Sequence, residues 1–391
     1  MSAISNKTTW ITGIAIFSMF FGAGNVVFPL LLGKICGDQN LYATIGLLLT
    51  AIGGPLLGLF GAMLFQGNFK EFFCRIGTAP GYILMIITSL LLGPFAVMPR
   101  CLIVSYAALS SFFPGLSLFA FSILSAAVIF LLVFKKNKLL PILGMTLSPI
   151  LLISLILIIV ISLFGGKATH VEMTPIKALT KGLLVGYDTM DLIASIFFSV
   201  SIWSLLKTKL RTEHHAGKNY EIKVFMIAGS FAGILLGLVY IGFSHAASLH
   251  IPLLANTPSE NLLTTLAYSS LGSIFGILAN LAIGLACLTT IMSLAVTFTE
   301  ILRNDFNMKK INHPTWIFII VVITALFSNL GFSTIMNFIH PAVEICYPAI
   351  VVMTICNILY KTCNFKMIKS PVYVTLAITL IIKGIFVMKA L

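Results

Sequence analysis

The sequence predicts an all-α, polytopic membrane bundle of eleven helices, or twelve if one apolar run divides, and three observations carry that prediction. Of 391 residues, 59% are hydrophobic and only 9% charged, with a mean hydropathy of +1.08; a soluble domain carries roughly 25% charged residues. The apolar residues fall into runs of roughly 18 to 28, each long enough to cross about 30 Å of hydrocarbon as a helix. Lysine and arginine, 24 against 11 acidic residues, gather between alternate runs, as the positive-inside rule requires.

Taken in order, the runs lie at about 8–33, 41–66, 81–108, 117–134, 139–164, 187–206, 223–249, 272–300, 314–330, 332–360 and 370–388. Membrane strands would be short and alternating, whereas these runs are apolar on every side. Helices also satisfy their own backbone groups, which lipid cannot do. With the N-terminus inside, the inner segments hold Lys7, Lys70, Arg75, Lys135, Lys136, Lys138, the basic residues of 207–223 and 303–310, and Lys361 to Lys369. The outer ones hold Lys34, Lys167, Lys177, Lys181 and Lys389. The charge of +13 is therefore a topology signal rather than a nucleic-acid surface. It places the N-terminus in the cytoplasm and, for eleven spans, the C-terminus outside; splitting the tenth run at Pro341 would turn Lys361 to Lys369 outward and weaken the bias.

The first run is too long for a secretory signal and lacks an A-x-A site, so it is read as retained. Seven cysteines without a C-x-x-C pair read as packing residues. The polar stretches 167–181 and 207–223 are too short for a soluble core. Residues 1–391 thus read as one integral membrane domain. Five runs at about 8–164 and five at about 187–360 cross in opposite directions, the parity of an inverted 5+5 repeat, with an extra helix at about 370–388. Any odd-numbered set has that parity, and no residue-level self-similarity accompanies it. Between the seventh and eighth runs, NLLTTLAYSSLG is amphipathic and too short to cross, which suits a lid over the outer face.

Within the first run stands GAGN, Gly22 to Asn25, followed by Pro29. Mid-helix glycine costs about 1 kcal/mol relative to alanine. An unwound turn at mid-membrane would leave N–H groups at the start of a second half-helix, where an anion is favoured. Gly22 and Gly24 as a small packing pair is the alternative; Asn25, an amide that needs partners in lipid, tilts the reading toward a broken helix. A dinucleotide fingerprint is excluded, because the third glycine and a preceding strand are missing.

In LACLTTIMSL of the eighth run, Ala286, Thr289, Thr290 and Ser293 fall on one helical face that is small and hydroxylated. Such a face offers oxygens to a hard cation, or each hydroxyl bonds back one turn and the face merely packs. GYDTMD opens the sixth run, with Asp188 and Asp191 in its first turn as caps or as gating and proton-handling groups. Further on, FSVS, Phe198 to Ser201, interrupts the apolar run and would be the counterpart of GAGN. Arg100 would snorkel outward or pair with Asp188 or Asp191. Glu344, between Pro341 and Pro348, would be paired with a lysine or histidine, or carry protons. His245 and His340 read as hydrogen-bonded core residues, and His214 and His215 as solvated.

FFGAGNVVFP in the first run, GPFAVMPR in the third, GYDTMD at the sixth, ACLTT in the eighth and Pro341 to Tyr347–Pro348 in the tenth, taken in order, resemble the branched-chain amino-acid:cation symporters, the bacterial leucine, isoleucine and valine carriers. The resemblance covers nearly the whole chain. It implies the leucine-transporter fold, with broken first and sixth helices holding the substrate. Carried over, Gly22, Ala23, Gly24 and Asn25 would take the amino acid's carboxylate, and Phe198, Ser199 and Ser201 its ammonium end. The same resemblance implies a sodium ion held by Ala286, Thr289 and Thr290 with carbonyls of about Ser18 and Phe21. Cys101 and Ala107 depart from the family's usual threonine and acidic residue, and Glu344 replaces a residue that is commonly apolar. The chain is short for the family, which fits loss of a final span.

The reading is a secondary transporter in the bacterial inner membrane that imports leucine, isoleucine or valine with sodium, its partners being the amino acid and the lipid bilayer. A proton-coupled carrier of another amino acid, amine or nucleobase is the alternative. No cofactor is expected, and no Walker sequence implies ATP. No H-E-x-x-H or nucleophile and base pairing suggests an enzyme, and no re-entrant filter suggests a channel.

Overall fold

The computed structural model describes residues 7–112, 114–134, 139–164, 166–167, 169–212 and 218–390. Lys135, Lys136, Lys138, His214 and His215 lie outside them. Among the described residues, six helical runs are long and apolar enough to cross a bilayer, and three shorter apolar helices accompany them.

The first run is two helices, α1 (Lys7–Phe20) and α2 (Ala23–Cys36), separated at Phe21 and Gly22. Gly22 is extended at φ −133° and ψ −164°, so the chain breaks at the GAGN sequence as expected. In the second run α3 (Asn40–Leu48) passes through a π-helical turn, Leu49–Gly53, into α4 (Gly54–Leu64). A short α5 (Phe69–Cys74) follows, capped by Asn68, whose side chain accepts from the Glu71 N–H at 3.0 Å. The third run is also divided, into α6 (Thr78–Leu92) and α7 (Val97–Leu109). Pro94 lies in the gap, where its missing N–H cannot continue the helix. Then come α8 (Leu118–Phe134) and α9 (Leu139–Ser162).

The sixth run corrects the sequence expectation twice. It begins earlier, as α10 (Pro175–Asp188), and resumes as α11 (Asp191–Thr212). Pro175 occupies the first helical turn, where proline is preorganised, and the lysines of α10 lie on the exposed side of an amphipathic helix, which made it look like a polar loop. The interruption therefore sits at Thr189 and Met190, while Phe198 to Ser201 lie within unbroken helix. Ser199 bonds back to the Ile196 carbonyl at 2.7 Å, the local way to satisfy a buried hydroxyl without breaking a helix. Asp188 is accordingly the last residue of α10, not a first-turn residue of the helix that Asp191 opens.

The remainder is α12 (Lys218–Leu249), α13 (Ile251–Leu254), α14 (Leu262–Asn304), α15 (His313–Ser328), α16 (Phe332–Cys363) and α17 (Lys369–Ala390). α14 joins two helices at Gly272, whose φ of +72° suits glycine. The piece before that kink is the amphipathic segment, helical and with Leu262, Leu263 and Leu266 buried. α16 runs through Pro341 and Pro348 without interruption, so the tenth run is one helix.

Packing puts the broken helices at the centre. α1 and α2 lie against α12, α11 against α4, and α10 against α3. At the last contact a Cβ on Gly182 would strike the Ala43 carbonyl, so small residues let the two backbones touch. α8, α9 and α17 expose Leu131, Ile153 and Ile381, the composition of a lipid-facing surface.

Candidate functional site

Two chain breaks meet in the middle of the bundle. A Cβ on Gly24 would lie 3.0 Å from the Thr189 carbonyl oxygen and 3.3 Å from the Thr189 Cα, so the start of α2 is pressed against the turn between α10 and α11. Met190 turns that corner at φ 60°, a left-handed conformation uncommon outside Gly, Asn and Asp. The Thr189 hydroxyl donates to the Gly186 carbonyl at 2.9 Å.

Asn25 ties the two breaks together. Its Oδ1 accepts from the Gly22 N–H at 2.8 Å. Its Nδ2 donates to Asp191 Oδ2 at 2.8 Å and to the hydroxyl of Tyr240 on α12. The Tyr240 hydroxyl in turn donates to Asp191 Oδ2 at 2.8 Å. All three side chains are buried, and each donor has an acceptor, as low-dielectric surroundings demand. With Gly22 capped in this way, the N–H groups of Ala23 and Gly24 open α2 without an acceptor in their own helix.

Those residues, with Phe20, Thr189, Ala194, Phe198, Thr290 and Leu294, wall a cavity with room for only about 20 Å³ of contents, close to the space of one water. Phe198 thus reaches the cavity as a ring from intact helix. Ser199 is buried and self-bonded, and Ser201 is half-buried. The counterpart of GAGN, expected at 198–201, is instead the interruption at Thr189 and Met190.

The hydroxyl face of α14 meets the end of α1. Thr290 Oγ1 lies 3.1 Å from the Phe21 carbonyl oxygen and 3.0 Å from that of Ala286. Thr289 bonds back to the same Ala286 carbonyl at 2.9 Å, and Ser293 to that of Thr289 at 3.1 Å. Three of the five sodium ligands implied by the resemblance, Phe21, Ala286 and Thr290, therefore converge, while Ser18 is half-buried one turn back in α1. The converging atoms are neutral, hard oxygens, a set that fits an alkali cation. Among the described residues no three His, Cys, Asp or Glu side chains gather as for a transition metal.

Arg100 does not snorkel. Its side chain is 1% exposed and donates from Nη1 to the Asp188 backbone carbonyl at 2.9 Å. Its Nε and Nη2 have no protein partner, and its guanidinium lies 5.5 Å from the centre of the Phe28 ring. The gap before α7 explains this: with α7 starting at Val97, Arg100 is one turn inside a half-helix that points at the α10 end. Glu344 is paired with His340 at 3.1 Å and with Lys383 of α17. Tyr240 and Lys383 were not picked out by sequence reasoning, whereas His340 was expected to be hydrogen-bonded and Glu344 to pair with a lysine or histidine, as the structure shows. A tyrosine in the seventh run carries no spacing signal, whereas His340 and Glu344 stand four apart on one helix, a spacing that did announce their contact.

A helical membrane bundle with two interrupted helices abutting at its centre, and a small cavity of mixed lining between their ends, is the architecture of a transporter. The sequence profile described as "Branched-chain amino acid transport protein" matches residues 5–391, and the chain belongs to that family, one of transporters rather than enzymes. A Staphylococcus epidermidis protein whose name assigns it as a branched-chain amino acid carrier is 29% identical over 388 residues, 94% of this chain and 85% of that one. A Staphylococcus aureus protein named likewise is 27% identical over 396 residues, covering 96% and 87%. The bundle also resembles a nucleobase-cation-symport-1 family transporter, in a closed conformation with bromovinylhydantoin bound (TM-score 0.66, 14% identity, 90% of this chain and 78% of the other). It resembles a Na⁺-coupled sialic acid symporter too (0.59, 13%, 90% and 78%) and the Eremococcus coleocola manganese transporter (0.61, 14%, 95% and 84%). At those identities the likeness is one of fold. The chain is a multi-pass bacterial membrane protein.

Proposed function

We propose that the protein is a sodium-coupled symporter that carries leucine, isoleucine or valine into the cytoplasm by alternating access, across eleven spans arranged as an inverted 5+5 repeat with the N-terminus inside. The observation that carries this reading is the junction itself: Ala23 and Gly24, the residues that open α2, line the cavity, and Thr290 reaches from α14 to the Phe21 carbonyl beside it. The positive end of α2, at Ala23 and Gly24, takes the substrate carboxylate. The Thr189 carbonyl and the Asp191 carboxylate take the ammonium group. Phe20, Ala194, Phe198 and Leu294 supply an apolar wall for a branched side chain.

Sodium sits among the Phe21 and Ala286 carbonyls and the Thr290 hydroxyl, with Ser18 and Thr289 completing its shell. Bound there, it fastens the end of α1 to α14 and holds the unwound turn in the shape that receives the amino acid, so each ligand favours the same conformation.

Uptake of labelled leucine into proteoliposomes, with and without an inward sodium gradient, tests this reading. The expected result is saturable, sodium-dependent uptake. Thr290→Val keeps the shape, removes the oxygen and lowers apparent sodium affinity about tenfold or more, the loss of one or two kcal/mol of ligation. Uptake indifferent to sodium in the unmodified protein, or unchanged sodium dependence in the variant, overturns the assignment.

A further inference from the structure

Four ionisable side chains form a chain running away from the cavity. His340 Nδ1 lies 2.9 Å from Asp188 Oδ1, and His340 Nε2 lies 3.1 Å from Glu344 Oε1. The other oxygen of Glu344 is paired with Lys383. The two carboxylate side chains are only 9% and 13% exposed. The chain thus links the last residue of α10 to α16 and α17.

Counting protons decides what this group holds. A neutral imidazole has one N–H and one lone pair, and an ionised carboxylate has lone pairs only. With all three groups in those forms, one of the two nitrogen–oxygen contacts would set lone pair against lone pair. Both contacts hold only when the Asp188, His340 and Glu344 group carries one further proton, on the ring or on a carboxyl. Charge gives the same answer: two carboxylates against Lys383 leave one negative charge unbalanced inside the bundle, where charge is costly, and the proton brings the four residues to neutrality.

The surrounding titratable groups do not supply that missing positive charge at the ring. Arg100 on α7 engages the Asp188 backbone carbonyl. Asp191 on α11 is held by Asn25 and Tyr240. Tyr187 on α10 and Tyr347 on α16 face each other with ring centres 4.7 Å apart. The turn Ser259–Asn261, which touches α16, brings Glu260, an acid. α4 has no titratable residue, and α15 carries only His313, at its far end.

We propose that Asp188, His340 and Glu344 form a proton-binding site that fastens the end of α10 to α16, and that losing its proton releases one of the two contacts and frees the α10–α11 break. The release acts at the cavity, because Asp188 adjoins Thr189, the residue that abuts Gly24. The site is independent of which solute is carried.

Thermal unfolding of the purified full-length protein in detergent, without substrate, from about pH 5 to about pH 9, reads the site across the range where an imidazole changes charge. The folded state binds one proton more than the unfolded chain, so stability falls as pH rises, the folding equilibrium shifting by up to about tenfold per pH unit. His340→Gln removes the titrating ring and flattens the slope. Glu344→Gln does more: the glutamine NH2 donates to the bare ring nitrogen while its oxygen still accepts from Lys383, so both His340 contacts survive with a neutral ring, Asp188 and Lys383 balance without the further proton, and alkaline stability is retained. A wild-type slope persisting in Glu344→Gln overturns the proposal, and this variant decides if His340→Gln fails to fold. Leucine uptake against pH at a fixed sodium gradient should lose its pH dependence in the same variant. Absence of uptake in every form would count against the symporter reading, while the unfolding slopes still decide the proton site.

Discussion

Both ends of the Asn25 amide are engaged, and that is what makes a mid-membrane helix break affordable here. Its oxygen accepts from the Gly22 N–H just before α2 and its nitrogen reaches Asp191 and Tyr240, so both ends of this buried amide are satisfied. Asn25→Asp is nearly isosteric but sets a second carboxylate against Asp191 Oδ2. The expected outcome is loss of leucine uptake with destabilisation of about 1–3 kcal/mol, the cost of an unsatisfied or repelling buried pair, read by thermal unfolding. An active Asn25→Asp protein of normal stability would show that the junction does not depend on this bridge. Gly24 makes a second demand at the same scale, since a methyl group there sits 3.0 Å from the Thr189 oxygen. Gly24→Ala should leave the protein folded with impaired uptake, and Gly24→Val should impair both.

At the scale of elements, the two broken helices reach similar ends by different chemistry. The α1–α2 break uses glycine and a self-capping amide and was legible in GAGN. The α10–α11 break uses Thr189, a left-handed Met190 and flanking aspartates, with no glycine to announce it. The available signal was Pro175 at a helix start together with Asp188 and Asp191 bracketing two residues, and an apolar-run reading passes over it because α10 is amphipathic. The C-terminal end of α14 offers a pH test. Burial pushes the carboxyl of Asp305 up to about 6, with Lys70 pulling modestly the other way. The folded state therefore holds this proton more tightly than the unfolded chain, and its contribution to stability is lost as pH rises through about 6. Asp305→Asn removes that loss. The expected gain is of order 1 kcal/mol at alkaline pH, trimmed by solvent screening of a half-exposed group, and it vanishes below the ordinary carboxylate range. Melting curves of both proteins at the two extremes would show it, and equal stability throughout would remove the assignment.

For the whole molecule, the lipid-facing shell and the closed centre set the mechanism. Ile381 on α17 is 61% exposed, and an arginine near the middle of a spanning helix costs about 2.5–3.5 kcal/mol of insertion. Ile381→Arg should lower the membrane-inserted fraction on fractionation, while Ile381→Leu leaves it unchanged; equal insertion would mean that α17 does not cross lipid. At the centre, a cavity of about 20 Å³ is far below what a leucine side chain needs. Transport therefore requires the two breaks to part, and the half-helices that would move are those whose ends abut there, at Gly24 and Thr189. Arg100 on the Asp188 carbonyl and His340 on its carboxylate hold one of those ends.

The amino-acid order by itself determined that the chain lives in a bilayer as helices, that the first helix breaks at Gly22, and that Thr290 lies on a small hydroxylated face. Each of these is a local property of composition, period or backbone freedom, which lipid enforces without reference to distant residues. Only the tertiary structure decided that the sixth helix breaks at Thr189 rather than at Phe198, that Arg100 turns inward, and that Asp188, His340, Glu344 and Lys383 join in one chain. Those outcomes depend on which unsatisfied carbonyl, carboxylate or cation a neighbouring helix happens to present. In a medium without water, such groups must find one another across the fold, and sequence spacing along one helix does not record where.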